Sequence, residues 1–227
     1  MPRQTFHHNM GVLQDKLLLM GSRVEDALAD AVIALKKRDH KVCRQIIAHD
    51  QTINEARYEL EGGTLMLIAT QQPMAGDLRT LAAVLEIASE LERIGDYAKG
   101  IANISLMIGD APLVKPLIDV PRMAEICVDM LHRALDAFVQ NDDKAAAAIV
   151  EDDDMVDALY DQVYRELMTY VIADPKTVEQ VSYLLWVAHN LERAADRVTN
   201  ICERVIFTVT GELIDIGSEN EGLESLS

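Results

Sequence analysis

Two pairs of acidic residues, Glu92/Asp96 and Glu192/Asp196, recur in this chain at the same four-residue spacing and one hundred residues apart. On a helix, residues i and i+4 share a face, and like charges so placed repel by about 0.2–0.5 kcal/mol. Upstream of each stands a second polar pair, Asp50/Asn54 in the first half and Asp153/Asp157 in the second. Carboxylates that converge from two helices need a proton or a cation between them, so the chemistry on offer is cation binding. An all-oxygen set selects hard ions such as Mg, Mn, Ca or ferric iron; zinc is less natural where the set holds no His or Cys. His189, one turn before Glu192, could join the second set, and Ser89 stands at the matching place in the first. The bland alternative is a solvated helix face on which Arg93, Lys99 and Arg193 form ordinary ion pairs worth little. The run Glu151-Asp152-Asp153-Asp154 could also simply favour a helix N-terminus.

The elements that must position these groups are all helical. Leu13, Leu17, Met20, Val24, Leu28, Val32 and Leu35 fall at helical spacing and predict a first helix over 11–39. Asp39 reads as a break and a new N-cap before a second helix over 41–70. That helix contains Gly62-Gly63, which weakens it locally and lets a neighbour come close. Gln71-Gln72-Pro73 is a turn, and a third helix runs over 76–108. Gly109-Asp110-Ala111-Pro112 and Pro116 mark a linker, after which helices are predicted over 121–140, 143–173 and 177–209.

The second half repeats the first. Ala31, Asp39, Lys41, Ile46 and Asp50 match Ala134, Asp142, Lys144, Ile149 and Asp153 at an offset of 103, and Leu91-Glu92-Arg93, Asp96 and Ile101 match Leu191-Glu192-Arg193, Asp196 and Ile201 at 100. The expected fold is therefore all-α: two tandem three-helix bundles made by internal duplication, over 1–112 and 113–210, with an acidic, disordered tail over 211–227. In each half the two polar pairs lie about equally far before and after the turn that joins their helices. Antiparallel helices with the same rise per residue then bring both pairs to one level. Glu92 and Asp96 extend the stripe of Leu78, Leu81 and Leu85, while Leu91, Ile94, Ala98 and Ile101 keep the opposite stripe apolar.

Composition narrows the function. Apolar residues make up 49% of the 227 and aromatics 4%, so Leu, Ala, Ile, Met and Val do the packing. Trp186 and the Met residues at helical spacing are expected in the core, and His132 is expected as a partly buried structural residue. Net charge is −17, with 9 basic against 23 acidic residues over 114–227, which disfavours nucleic acid and anionic lipid and favours cations or basic protein surfaces. No stretch is long and apolar enough to span a bilayer, and Met1 to Phe6 lacks the apolar core of a signal peptide, so the cytosol is the expected compartment. Cys43, Cys127 and Cys202, far apart and odd in number, read as buried hydrophobes in a reducing environment. No phosphate-cradling glycine loop and no Ser/His/Asp or Cys/His set is present, so catalysis is not expected. A carboxylate-bridged di-iron enzyme of the ferritin-like class is the enzymatic alternative, but the ExxH motifs of that class are missing.

Over nearly its whole length the chain resembles the PhoU family of phosphate-uptake regulators. The likeness rests on Phe6 to Met20-Gly21, Ala34-Leu35 with Asp39, Ile46-Ile47 with Asp50 and Ile53-Asn54, Gln72-Pro73 with Asp77-Leu78-Arg79, Leu91-Glu92-Arg93-Ile94-Gly95-Asp96, Leu191-Glu192-Arg193-Ala194-Ala195-Asp196 and Asn200-Ile201-Cys202-Glu203. Ala194-Ala195 replaces the Ile-Gly of the family motif. The resemblance implies two similar three-helix bundles and multinuclear metal clusters, of iron or zinc in some members, held by paired E(D)xxxD motifs. Carried over, one set is Asp50 and Asn54 with Glu92 and Asp96, the other Asp153 and Asp157 with Glu192 and Asp196. It further implies a cytosolic homodimer that acts beside the phosphate ABC transporter and the phosphate-sensing histidine kinase and represses the starvation response when phosphate is plentiful. A PhoU-like scaffold for a different transporter is the nearest alternative.

Overall fold

A computed structural model describes residues 2–213. It consists of α1 (Pro2–Lys37), α2 (His40–Gln71), α3 (Ala75–Ile108), α4 (Asp119–Gln140), α5 (Asp143–Val150), α6 (Asp153–Ala173), a 3-10 turn (Pro175–Thr177) and α7 (Val178–Thr210), with no strand among the described residues. Helices α1 to α3 form one three-helix bundle, and α4, the α5–α6 rod and α7 form the second. The bundles join along two seams, a broad one between α3 and α7 and a lesser one between α1 and α4.

The apolar stripe of α1 is buried throughout from Leu13 to Leu35. Phe6, also buried, extends it two turns further back, with Met10 packed between, and this is why the helix starts at Pro2 rather than near residue 11. Proline is tolerated there because a first-turn N–H has no helical partner to lose.

The two halves turn the chain in the same way. Arg38 and Asn141 take left-handed φ of 56° and 53°, and the next residue caps the following helix. The Asp39 carboxylate accepts from the N–H of Lys41 and Val42, both at 3.1 Å, and that of Asp142 accepts from Ala145 N–H at 3.0 Å. Each satisfies backbone donors that a helix start leaves unpaired.

The rod expected over 143–173 is broken at Glu151-Asp152. Four consecutive carboxylates inside a helix repel one another. At a helix start the same charges face free N–H groups and are stabilised. Asp152 is also drawn to Arg133 of α4, which holds Asp129 as well. The chain therefore restarts as α6 with Asp153 and Asp154 in its first turn.

Glycine permits close approach at two places that join the bundles. A Cβ on Gly21 would lie 2.2 Å from Leu135 Cδ1 of α4, and one on Gly100 would lie 3.1 Å from Asn190 Nδ2 of α7. Of the pair in α2, Gly63 faces Leu13 of α1, while Gly62 faces open space.

Several side chains depart from expectation. Trp186 is 60% exposed, and Met66, Met74, Met107 and Met155 are also outside the core, whereas Met20, Met123 and Met130 are buried in it. Met74 precedes α3 as its cap, and the other exposed ones lie on the outward flanks of helices whose inward stripes are already filled. His132 is exposed and lies 3.5 Å from Glu25 of α1, so it is a surface partner rather than a half-buried one. The three cysteines are buried and free. The tail expected from residue 211 falls, from residue 214 on, outside the described residues; Gly211 itself, at φ 80°, caps α7.

Candidate functional site

The inward stripes of α3 and α7, Leu91, Ile94, Ala98 and Ile101 with Leu191, Ala194, Val198 and Ile201, are fully buried, and they fix the rotation of both helices. This places Glu92 and Asp96 toward α2, and Glu192 and Asp196 toward α6. The level of α3 against α2 is set by Gly95: a Cβ there would meet Ile53 Cδ1 at 3.1 Å. Ile53 sits between Asp50 and Asn54 on α2, so the two first-half pairs come to the same height.

In the first bundle the set closes on an ammonium. Asp50 is only 6% exposed, and its Oδ2 accepts from Lys99 Nζ at 2.7 Å and from Asn54 Nδ2 at 3.2 Å. Lys99 Nζ also lies 3.5 Å from Asp96 Oδ1. The Asp50 hydrogen bond holds the lysine pKa above its ordinary value, against the opposing cost of burial. Arg57 Nη1 lies 3.7 Å from Glu92 Oε2. Burial, and next Asp96, raise the Glu92 carboxyl, while Arg57 offsets part of this. All four expected residues thus meet, together with two cations. Lys99 projects from α3 one turn beyond Asp96, and Arg57 from α2 three residues after Asn54, spacings that could have flagged both.

The second bundle gathers carboxylates without such partners. No Lys, Arg or His of the described residues lies within ion-pair distance of Asp153 or Asp157. Burial first, then the Asp157, Asp196 and Glu192 carboxylates, push the Asp153 carboxyl up to about 7 from its ordinary 3.8. Burial and Asp196 raise Asp157 as well, and burial and Asp196 raise Glu192. The four carboxylates thus lie within electrostatic reach of one another. Asp153 Oδ1 and Glu192 Oε2 are buried with no hydrogen-bond partner. Glu192 Oε2 does lie 3.1 Å from His189 Nδ1, an ion-pair distance, but no donor meets it in hydrogen-bonding geometry. Asp196 Oδ2 accepts from Arg193 Nη1 at 2.9 Å, the one strong basic contact in the set.

Buried acceptors without donors are rare and costly. Here they are carboxylate oxygens beside further carboxylates, a donor set that suits a hard cation. As the side chains stand, no three His, Cys, Asp or Glu side chains of the described residues are placed to hold an ion, so binding asks for rotation within the second set. The first set meets the fit less well, because its shared oxygens already face Lys99.

Comparison with known proteins follows the same two halves. The PhoU domain profile matches residues 17–105 and 120–205. The phosphate-specific transport system accessory protein PhoU homolog of Caulobacter vibrioides is 35% identical over 225 residues, covering 99% of this chain and 97% of that protein. The phosphate-specific transport system accessory protein PhoU of Escherichia coli is 32% identical over 207 residues, 91% of this chain and 86% of that protein. Among solved structures, the phosphate transport system regulatory protein PhoU from Streptococcus pneumoniae superposes with a TM-score of 0.86 at 29% identity, covering 93% of this chain and 100% of that one. PhoU from Pseudomonas aeruginosa gives 0.87 at 31% identity, with 91% and 100% covered.

Proposed function

The chain belongs to the PhoU family, and on that premise we propose that it is a non-enzymatic accessory protein of a phosphate-specific transport system, regulating phosphate uptake through a metal-responsive second bundle. The observation that carries the metal part of this reading is the pair of buried, unpartnered carboxylate oxygens on Asp153 and Glu192, with Asp157 and Asp196 beside them. Asp153 and Asp157 from α6, and Glu192 and Asp196 from α7, are the residues that would hold the ion, with His189 in reach of Glu192. A hard cation, or iron or zinc as the family likeness implies, would supply positive charge that offsets four converging carboxylates. Each carboxylate pair belongs to one helix, so their joint engagement ties α6 to α7 at a fixed angle. The same α7 forms the seam with α3. Glu90 of α3 meets Arg197 and Asn200 there, each at 3.4 Å, so a change in α7 is felt by the first bundle.

In this reading the protein works in the cytoplasm, as a homodimer, beside the transporter ATPase and a phosphate-sensing histidine kinase. No helix of the described residues is long and apolar enough to cross a membrane, so contact with the membrane runs through partners. The acidic surface favours basic partner faces. The test is a pull-down of the transporter ATPase and the kinase by the full chain, paired with a phosphate-starvation reporter in cells lacking the endogenous protein. Capture of a partner and repression of the reporter in high phosphate support the assignment, and capture of neither refutes it. The Asp153→Asn/Asp196→Asn variant should lose repression while the chain remains folded; full repression by that variant removes the metal from the mechanism.

A further inference from the structure

The two halves of this duplicated chain are not equivalent at their acidic clusters. At the repeat's own offsets, Lys99 corresponds to Thr199, Arg57 to Tyr160 and Asn54 to Asp157. Every one of these exchanges moves charge in the same direction. The first cluster has one acid fewer and holds Lys99 and Arg57, whereas the second holds Arg193 on Asp196 and, where the first half has Ser89, His189 beside Glu192. The structural positions agree with the alignment. Burial, then Glu192, raise the Tyr160 hydroxyl pKa, so Tyr160 stands beside Glu192 as Arg57 stands beside Glu92. Thr199 turns its hydroxyl back to the carbonyl of Asp196 at 2.8 Å and offers nothing to the carboxylates.

Resting on the metal reading of the second bundle, we infer that the first bundle binds no metal ion, because Lys99 occupies the place of the cation: its ammonium bridges Asp50 and Asp96 across α2 and α3 while Arg57 covers Glu92. Asp50 is nearly fully buried and takes both Lys99 and Asn54 on one oxygen, Oδ2. An incoming ion must displace a tethered ammonium that cannot diffuse away. The displaced ammonium can turn to water, since Lys99 is partly exposed, but the ion must still win Asp50 from a cation held permanently beside it. Asn54 then presents the site with one anionic ligand fewer. The second bundle keeps its fourth acid, and its one tethered strong base, Arg193, holds only Asp196 on its own helix and does not bridge α6 to α7. The duplicated protein thus has one bundle locked by its own lysine and one bundle open to ions, and any response to metal enters through α6 and α7 alone.

The test counts Mn2+ bound per chain on the full-length protein after chelator treatment. The Asp153→Asn/Asp196→Asn variant should lose all of the binding seen in the unaltered chain, and Glu92→Gln/Asp96→Asn should lose none. If the second variant loses about half, the first bundle holds metal and the inference is overturned while the metal reading stands. If the unaltered chain binds no Mn2+, the metal reading fails, and a third variant decides the inference. Lys99→Thr, which copies the residue of the second bundle, should then gain Mn2+ binding that Asp96→Asn abolishes. No gain overturns it. A measurement on the unaltered chain guards against a variant that does not fold. Acetylation of Lys99, read by mass spectrometry, should be at least severalfold slower than that of exposed lysines and indifferent to saturating Mn2+. Faster labelling of Lys99 on adding Mn2+ would mean that the ion displaces it, and would overturn the inference.

Discussion

Replacing Asp153 by Asn should stabilise the metal-free protein, and the size of the effect follows from the site. Lifting a carboxyl from 3.8 to about 7 corresponds to about 4 kcal/mol at roughly 1.4 kcal/mol per pH unit. Solvent reaches part of the group, and screening reduces this to about 2 kcal/mol. Asp153 also lies in the first turn of α6, where its charge is favourable by about 0.3–1 kcal/mol, and the amide forfeits that. The net gain is about 1.5 kcal/mol, or roughly 3–6 °C in Tm for a chain of this size. The sign with pH is definite. The folded pKa lies above the unfolded one, so the folded state binds more protons, and stability falls as pH rises from about 4 to about 7, remaining low above that. Thermal melts in chelator at pH 8 should therefore show Asp153→Asn above the unaltered chain, and the gap should narrow at pH 5 and close only below about pH 4. In excess Mn2+ the order should reverse, since only the unaltered chain gains from the ion. An Asp153→Asn variant that melts lower than the unaltered chain in chelator at pH 8 would refute the reasoning, because the carboxylate would then be satisfied rather than crowded.

Three further outcomes check the fold. Gly21→Val should lower Tm by several degrees, since its Cβ falls 2.2 Å from Leu135 Cδ1 and either Leu135 must repack or the seam of α1 with α4 must widen; overpacking of this kind costs about 1–3 kcal/mol. Trp186 is the only tryptophan and is mostly exposed, so native fluorescence should be red-shifted and readily quenched by acrylamide. Cys43, Cys127 and Cys202 are buried, and burial pushes the Cys202 thiol up to about 12, so a thiol reagent should modify none of the three until the protein is unfolded.

Much of this architecture was legible because few signals compete in a helical chain. The stripe from Leu13 to Leu35 gives α1 its buried face, and Asp39 and Asp142 are caps whose chemistry is local. The common height of Asp50 and Asp96 follows from counting residues either side of the turn at Gln72, since rise per residue is the same in both helices. The helix start at Asp153 is what an acidic run Glu151-Asp152-Asp153-Asp154 that favours a helix N-terminus gives, whereas the continuous helix expected over 143–173 is not observed. Lys99 is expected in an ordinary surface ion pair, but its bridge to the buried Asp50 is not legible from spacing. Periodicity places Lys99 near the edge of a face, but whether its ammonium reaches across to Asp50 depends on the distance and rotation of a second helix. Trp186 illustrates the converse: a large apolar residue at helical spacing reads as core, yet the inward positions of α7 were already filled by Leu184, Val187 and Leu191. The α3–α7 seam lay beyond reach because a stripe announces burial without naming the helix that covers it, though the near-complete burial of both could be inferred from their apolar residues on two faces.

The most direct test of the central claim is anomalous diffraction from crystals of the full chain grown with Mn2+. A peak enclosed by Asp153, Asp157, Glu192 and Asp196, with Lys99 still bridging Asp50 and Asp96, is the predicted result. A peak beside Asp50 with Lys99 swung away, or no peak at either cluster, would contradict it.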